Sequence, residues 1–124
     1  MLKRGFKAML AEANAAIETV SVQDLPYHMD DPEVVLLDVR DANERERDGE
    51  IPRSVHASRG LLEFQADPDS PVYNPVFKTD RRIIAYCGTG GRSALAAKTL
   101  LDMGFEDVAS LAGGYAAWRK AQEE

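Results

Sequence analysis

Residues Arg81–Gly104 read RRIIAYCGTGGRSALAAKTLLDMG, and the only cysteine of the chain, Cys87, stands at the hinge of that stretch. Before it, Ile83 to Tyr86 form a short apolar run of the kind found in a strand covered on both faces. After it come Gly88, Thr89, Gly90, Gly91 and Arg92. From Ser93 to Met103 the apolar residues Ala94, Leu95, Ala97, Leu100 and Leu101 recur at helical spacing, and Gly104 supplies a C-terminal stop. The reading is strand, glycine-rich loop, helix, with a thiol at the strand's carboxyl end.

Working outward, the same alternation repeats. Upstream, VVLLDVR (Val34–Arg40) is a second continuous apolar run with polar residues at its end, followed by the charged helical turn ANERERDG (Ala42–Gly49). Thr19–Val22 and Ser54–Ala57 read as short strands, Asp24–Pro26 as the start of a brief helix, and Gly60–Phe64 as a helical turn. Pro68, Pro71 and Pro75 rule out a long regular element between Gln65 and Phe77. Downstream, DVASLAGG gives a last strand and turn, and YAAWRKAQ a last helix. Strands alternating with helices predict an α/β domain whose mostly parallel, five-stranded sheet carries helices on both faces. Residues 1–18 are expected to form an amphipathic helix ahead of a domain at 19–124, with Leu2, Phe6, Met9, Leu10, Ala13 and Ile17 on one face.

The chain has 124 residues, enough for one core, with 44% hydrophobic and 29% charged residues. A net charge of −6 argues against a nucleic-acid partner, since phosphate binding needs a basic face. No apolar run approaches the ~18 residues of a membrane helix. Glu12 and Asn14 interrupt any signal-peptide core, so a cytoplasmic location is expected, with no membrane partner. A single cysteine excludes an internal disulfide.

In an open α/β sheet, reactive groups gather beyond the carboxyl ends of the strands. Cys87, Asp38, Arg40, Ser58, Arg59 and Gly113 all fall there. Gly88, Gly90 and Gly91 would let the backbone take positive φ and wrap its N–H groups around the sulfur, and the helix starting near Ser93 would aim its free N–H groups at the same point. Such donors favour the thiolate. A free cysteine of pKa about 8.5 is about 7% ionised near pH 7.4, whereas one lowered to roughly 6.5 is about 90% ionised. Arg92 either holds loop carbonyls or faces an anion. A lone cysteine is more often a small buried hydrophobe, but this loop in this position favours a nucleophile.

Strand–CGTGGR–helix, with LLDVR upstream and LAGGYAAW downstream, resembles the single-domain rhodaneses, a sulfurtransferase family, over residues 19–121. The resemblance implies a Cys87 persulfide, formed from thiosulfate or another persulfide or thiol donor and discharged to cyanide, a small thiol or a protein thiol. Gly88 to Arg92 would hold its terminal anion, and no cofactor or metal is implied. Asp38, Arg40 and Glu44 would form a supporting polar cluster, with Arg40 paired to acid. Where the family usually has Gly-His-Ile-Pro-Gly, this chain has Gly49-Glu50-Ile51-Pro52-Arg53; His56 and His28 are not assigned in place of that histidine. Cysteine phosphatases and arsenate reductases of similar fold carry five residues between cysteine and arginine, whereas four intervene here. Arg59 is a candidate for the donor anion or a plain surface cation, and Phe64 with the prolines after it a candidate pocket wall. The alternative to an enzyme is a sulfur-carrier or regulatory module working on a partner protein. Donor, acceptor and oligomeric state stay open.

Overall fold

The computed structural model describes residues 1–124. Five strands form one all-parallel sheet: β1 (Glu18–Val20), β2 (Val35–Asp38), β3 (Val55–His56), β4 (Ile83–Tyr86) and β5 (Val108–Leu111). Their order across the sheet is β1-β5-β4-β2-β3. The three central strands β2, β4 and β5 are buried at every position, as their continuous apolar runs require.

The α-helices are α1 (Phe6–Ala16), α2 (Leu25–Met29), α3 (Ala42–Asp48), α4 (Leu62–Ala66), α5 (Gly91–Met103) and α6 (Gly114–Gln122). Two cores result, one on each side of the sheet. Leu37, Val39, Ile83, Ala85 and Cys87 face one side, where Leu62 and Ala66 of α4 and Ala96, Ala97 and Leu100 of α5 pack against them. Leu36, Ile84, Tyr86 and Leu111 face the other, against Leu25 and Met29 of α2 and Tyr115 and Trp118 of α6. The alternation of a strand thus sends Tyr86 and Cys87, neighbours in sequence, into opposite cores.

Element bounds follow local chemistry. Gly104 closes α5 at φ +115, and Gly49 closes α3 at φ +90. The first strand ends at Val20, short of the expected Val22, because the Asp24 and Leu25 N–H groups both return to the Ser21 carbonyl and turn the chain into α2. α5 begins at Gly91, two residues before Ser93. The proline-rich stretch contains one 3-10 turn, Pro75–Phe77, whose Asn74 side chain accepts from Val76 N–H.

α1 docks along α5, but only Ala13 is fully buried. Ile17 reaches the core, whereas Phe6 is 67% and Leu2 82% exposed. With Met9 at 44% as well, half of the apolar face read from the sequence is therefore open to solvent. No helix is long and apolar enough to cross a membrane.

Candidate functional site

Cys87 leaves the carboxyl end of β4 and the chain turns at once through Gly88, Thr89 and Gly90 into α5. Its Sγ accepts hydrogen bonds from the N–H groups of Gly90 at 3.1 Å and Ser93 at 3.4 Å, and its thiol lies 3.6 Å from Ser93 Oγ. The loop carbonyls face away because α6 holds them. Tyr115 N–H donates to the Cys87 carbonyl at 2.8 Å, and Ala116 N–H to the Gly88 carbonyl at 3.0 Å. Each of those carbonyls shares a peptide plane with the next residue's N–H, so the first turn of α6 orients the Gly88 and Thr89 N–H groups and turns the Thr89 N–H toward the sulfur. Close approach is what makes this possible: at Gly114, with φ +60, a Cβ would lie 2.4 Å from the Cys87 carbonyl oxygen.

Burial pushes the Cys87 thiol up, but the Ser93 hydroxyl and the N–H groups of Ser93, Gly90 and Thr89 outweigh it and bring the thiol below its ordinary range. Cys87 is nonetheless only 1% exposed and packs on its other side against the aliphatic core. The sulfur is covered, partly by carbon and partly by hydrogen-bond donors.

Of the three loop glycines that allow positive φ, one adopts it. Gly90 sits at φ +116. Gly91 has an ordinary φ and open space within 4 Å of where a Cβ would stand, and at Gly88 the nearest atom to such a Cβ would belong to the Arg92 side chain, at 3.4 Å. The turn is made at one residue because α5 starts immediately after it.

Arg92 does not hold a loop carbonyl. Its Nη1 and Nη2 donate to both oxygens of Glu44 in α3, at 2.6 and 3.0 Å. Glu44 also accepts from the Asp41 N–H at 3.1 Å. The Arg92 pair first of all, against an opposing effect of burial, holds the Glu44 carboxyl down at about 2. The expected cluster of Asp38, Arg40 and Glu44 is therefore two centres. In the other, Asp38 and Arg40 are 0% and 1% exposed. Asp38 accepts from the Arg40 N–H at 3.0 Å, Arg40 Nη2 at 2.8 Å, Arg45 Nη1 at 2.9 Å and the Tyr86 hydroxyl at 2.9 Å. Burial raises the Asp38 carboxyl, and these donors, led by Arg40, carry it back below its usual range. The Arg40 guanidinium also lies over the Tyr115 ring, 4.4 Å from its centroid.

Arg59 is partnered by Glu63 at 3.0 Å and Thr99 Oγ1 at 3.1 Å. Thr99 lies about 9 Å along α5 from Ser93 at 1.5 Å per residue. Phe64 is 60% exposed. His56 Nε2 is 2.6 Å from the Arg40 carbonyl, a bond that ties β3 to the end of β2. A cavity of about 290 Å³ lies behind the loop, lined in part by Leu10, Asn14, Thr89, Gly90 and Ser110. A roomier one of about 460 Å³ sits beyond the far end of α5, at Met103–Phe105, away from the sulfur. Arg45, Tyr86 and Ser110 join these centres although nothing near them in the chain marks them beforehand.

The rhodanese-like domain model matches residues 21–121. The chain belongs to the rhodanese-like family. The thiosulfate sulfurtransferase GlpE of Pseudoalteromonas translucida is 33% identical over 110 residues, which span 88% of this chain and 95% of that one. A Rhodopseudomonas palustris protein of unknown function, called a possible tyrosine phosphatase, is 48% identical and superposes with a TM-score of 0.93 over 98% of this chain and 94% of that one. The human single-domain sulfurtransferase TSTD1 shares the fold at 22% identity, with a TM-score of 0.71 over 82% of this chain and 95% of that one.

Proposed function

We propose that this rhodanese-type sulfurtransferase carries sulfur on Cys87. The thiolate attacks the outer sulfur of a donor, a new S–S bond forms at Sγ, and the donor fragment leaves with the electron pair of the broken bond. A thiophilic acceptor then attacks the terminal sulfur, and the Cys87 thiolate leaves from it. The observation that carries this reading is the pair of N–H donors on Sγ, from Gly90 and Ser93, with the Cys87 and Gly88 carbonyls tied back to α6. Those donors stabilise a sulfur anion in both halves of the cycle. Asp38 and Arg40 support the fold of the edge, and Arg92 ties the loop to α3.

With no second cysteine, the persulfide discharges to something outside the chain: cyanide in an assay, or a small or protein thiol. The name of the Pseudoalteromonas relative makes thiosulfate the first donor to try. The name of the Rhodopseudomonas protein raises phosphoryl transfer as a second reading. Two features weigh against it: only four residues separate Cys87 from Arg92, and that arginine is already neutralised by both Glu44 oxygens.

Intact mass after treatment with thiosulfate, mercaptopyruvate or glutathione persulfide tests the proposal. One added sulfur atom is expected, absent in Cys87→Ser and removed by cyanide, with turnover reduced on the order of 10⁴-fold or more in that variant. A persulfide that forms without turnover would identify a carrier module. Hydrolysis of an aryl phosphate that disappears in Cys87→Ser, without any sulfur adduct, would establish the phosphatase instead.

A further inference from the structure

Behind the sulfur, two buried hydroxyls stand in line. Ser93 Oγ lies 3.6 Å from Cys87 Sγ and 2.8 Å from Ser110 Oγ of β5, and it donates to the Gly90 carbonyl at 3.1 Å. Ser93 is 0% and Ser110 4% exposed. The Ser110 side chain makes no hydrogen bond to Cys87; its one side-chain partner is Ser93. On its outer side Ser110 lines the cavity of about 290 Å³ behind the loop, with Leu10 and Asn14 of α1 as part of the opposite wall.

A serine hydroxyl has one proton and two lone-pair sites. Three groups compete for Ser93: the sulfur, the Gly90 carbonyl and Ser110. With a neutral thiol, the S–H donates to Ser93 Oγ and the Ser93 proton goes to Gly90 or Ser110. When the sulfur becomes an anion it stops donating and needs a donor. The Ser93 proton then turns to Sγ, which leaves the Ser93 oxygen free to accept. The group placed to donate there is the Ser110 hydroxyl, at 2.8 Å. In a buried site each such bond polarises the next.

We propose that Ser110 is a positioning residue that acts on Cys87 only through Ser93: its hydroxyl donates to Ser93 Oγ when the sulfur is charged and so steadies the Ser93 hydroxyl as a donor to Sγ. The proton given up by Cys87 has the same route outward, from sulfur to Ser93, from Ser93 to Ser110, and from Ser110 to water in the cavity under α1. No bond other than S–H and O–H is made or broken, and no redox partner is involved. This rests on the reading of Cys87 as an anionic sulfur carrier. The direction of the thiol's shift, to which the Ser93 hydroxyl contributes most among the hydrogen bonds that lower it, agrees with that role.

The charged groups around the sulfur are paired with one another, and of them Arg92 also interacts with the Cys87 charge. Arg92 is paired with Glu44; Asp38 lies with Arg40 and Arg45 on the other side of the sheet; Arg59 and Glu63 pair with each other; and on α1 and α5 Glu12 lies 3.8 Å from Lys98. The segment Val108–Gly114 of β5 and the start of α6 brings no charged side chain.

The test is a thiolate titration by ultraviolet absorbance on the full chain, with no sulfur donor present, for wild type, Ser93→Ala, Ser110→Ala and the double variant. Unfolding midpoints confirm that each is folded, and Ser110→Ala removes one oxygen atom without adding bulk. The expected result is a higher titration midpoint in Ser110→Ala, a larger rise in Ser93→Ala, and no further rise in the double variant, the non-additivity of a residue that works through another. An unchanged midpoint in Ser110→Ala, or shifts that add in the double variant, overturns the proposal. Because no donor is used, either outcome is separate from whether Cys87 transfers sulfur, which the mass measurement decides.

Discussion

Asp38 and Cys87 stand at the ends of adjacent strands, both buried and both surrounded by hydrogen-bond donors, yet they are built in opposite ways. Asp38 is met by side chains from separate places in the chain: Arg40, Arg45, Tyr86 and, through Arg45 and Tyr86, Ser54. Its charge is neutralised and its oxygens are satisfied. Cys87 is met mainly by backbone N–H groups and a serine, with no formal cation donating to the sulfur. Its one nearby cation, Arg92, is turned over to Glu44. The contrast shows where this fold puts its charges. Full charges close the centre that holds strands together, while dipoles are left for the sulfur that changes its own charge in the proposed mechanism. A fixed cation beside the sulfur would bind any anion; a ring of dipoles suits an atom that alternates between anion and bonded neutral.

Disrupting the first centre should show the largest effect on stability. Arg40→Met leaves Asp38 buried with Arg45, Tyr86 and the backbone N–H of residue 40, and a loss of about 3–5 kcal/mol in denaturant unfolding is expected. A loss below about 1 kcal/mol would mean that Arg45 suffices and that the centre is less closed than its geometry indicates.

One pair of variants probes the second centre. Gly90→Ala must place a side chain at φ +116, at a cost of about 1–2 kcal/mol, and it shifts an N–H that donates to Sγ. Sulfur transfer should fall well beyond what the lost stability explains. Gly91→Ala, one residue on, enters open space at an ordinary helical position and should leave the rate unchanged and stability equal or higher by up to about 1 kcal/mol. Equal damage from both, measured as initial rates on one donor, would show that the ring depends on more than the turn at Gly90.

The link between α3 and the loop carries the smallest effect of the three. Glu44 is held at about 2, below its ordinary 4.5, so its pairing with Arg92 stabilises the fold fully above pH 4.5 and is lost as pH falls toward 2. Arg92 is 42% exposed, and with solvent screening the pair is worth about 1 kcal/mol. Glu44→Gln should remove that amount at neutral pH and flatten the stability profile between pH 4.5 and 2, read by urea unfolding across that range.

The segment Gly49–Arg53 departs from the family pattern, and the structure shows how the departure is absorbed. Glu50, where a histidine is usual, pairs with Arg45 at the edge of the Asp38 centre. Arg53, where a glycine is usual, keeps a positive φ of 70 and donates to the Met29 carbonyl at 2.5 Å, near the end of α2. A side chain that bonds a helix terminus offsets the left-handed strain a glycine would avoid. Neither residue touches Cys87.

Strand runs, helix stops and the cysteine loop were legible in the sequence because each reports on its own few residues. Val35–Asp38 and Ile83–Tyr86 are apolar almost throughout since both faces of the sheet are covered, and Gly104 and Gly49 mark ends that a positive φ demands. The spacing from Cys87 to Arg92 set the size of the loop. Partners were decided only by tertiary structure. Arg92 could have met a carbonyl, an anion or an acid, and it met Glu44, 48 residues away. Ser110 gained a role by lying beside Ser93 across a strand and a helix, and the first turn of α6 by receiving the carbonyls of Cys87 and Gly88. Local pattern governs backbone state through sterics and burial, which act within a few residues. The occupant of a hydrogen bond depends on where distant elements bring their ends, and no single stretch of chain contains that information.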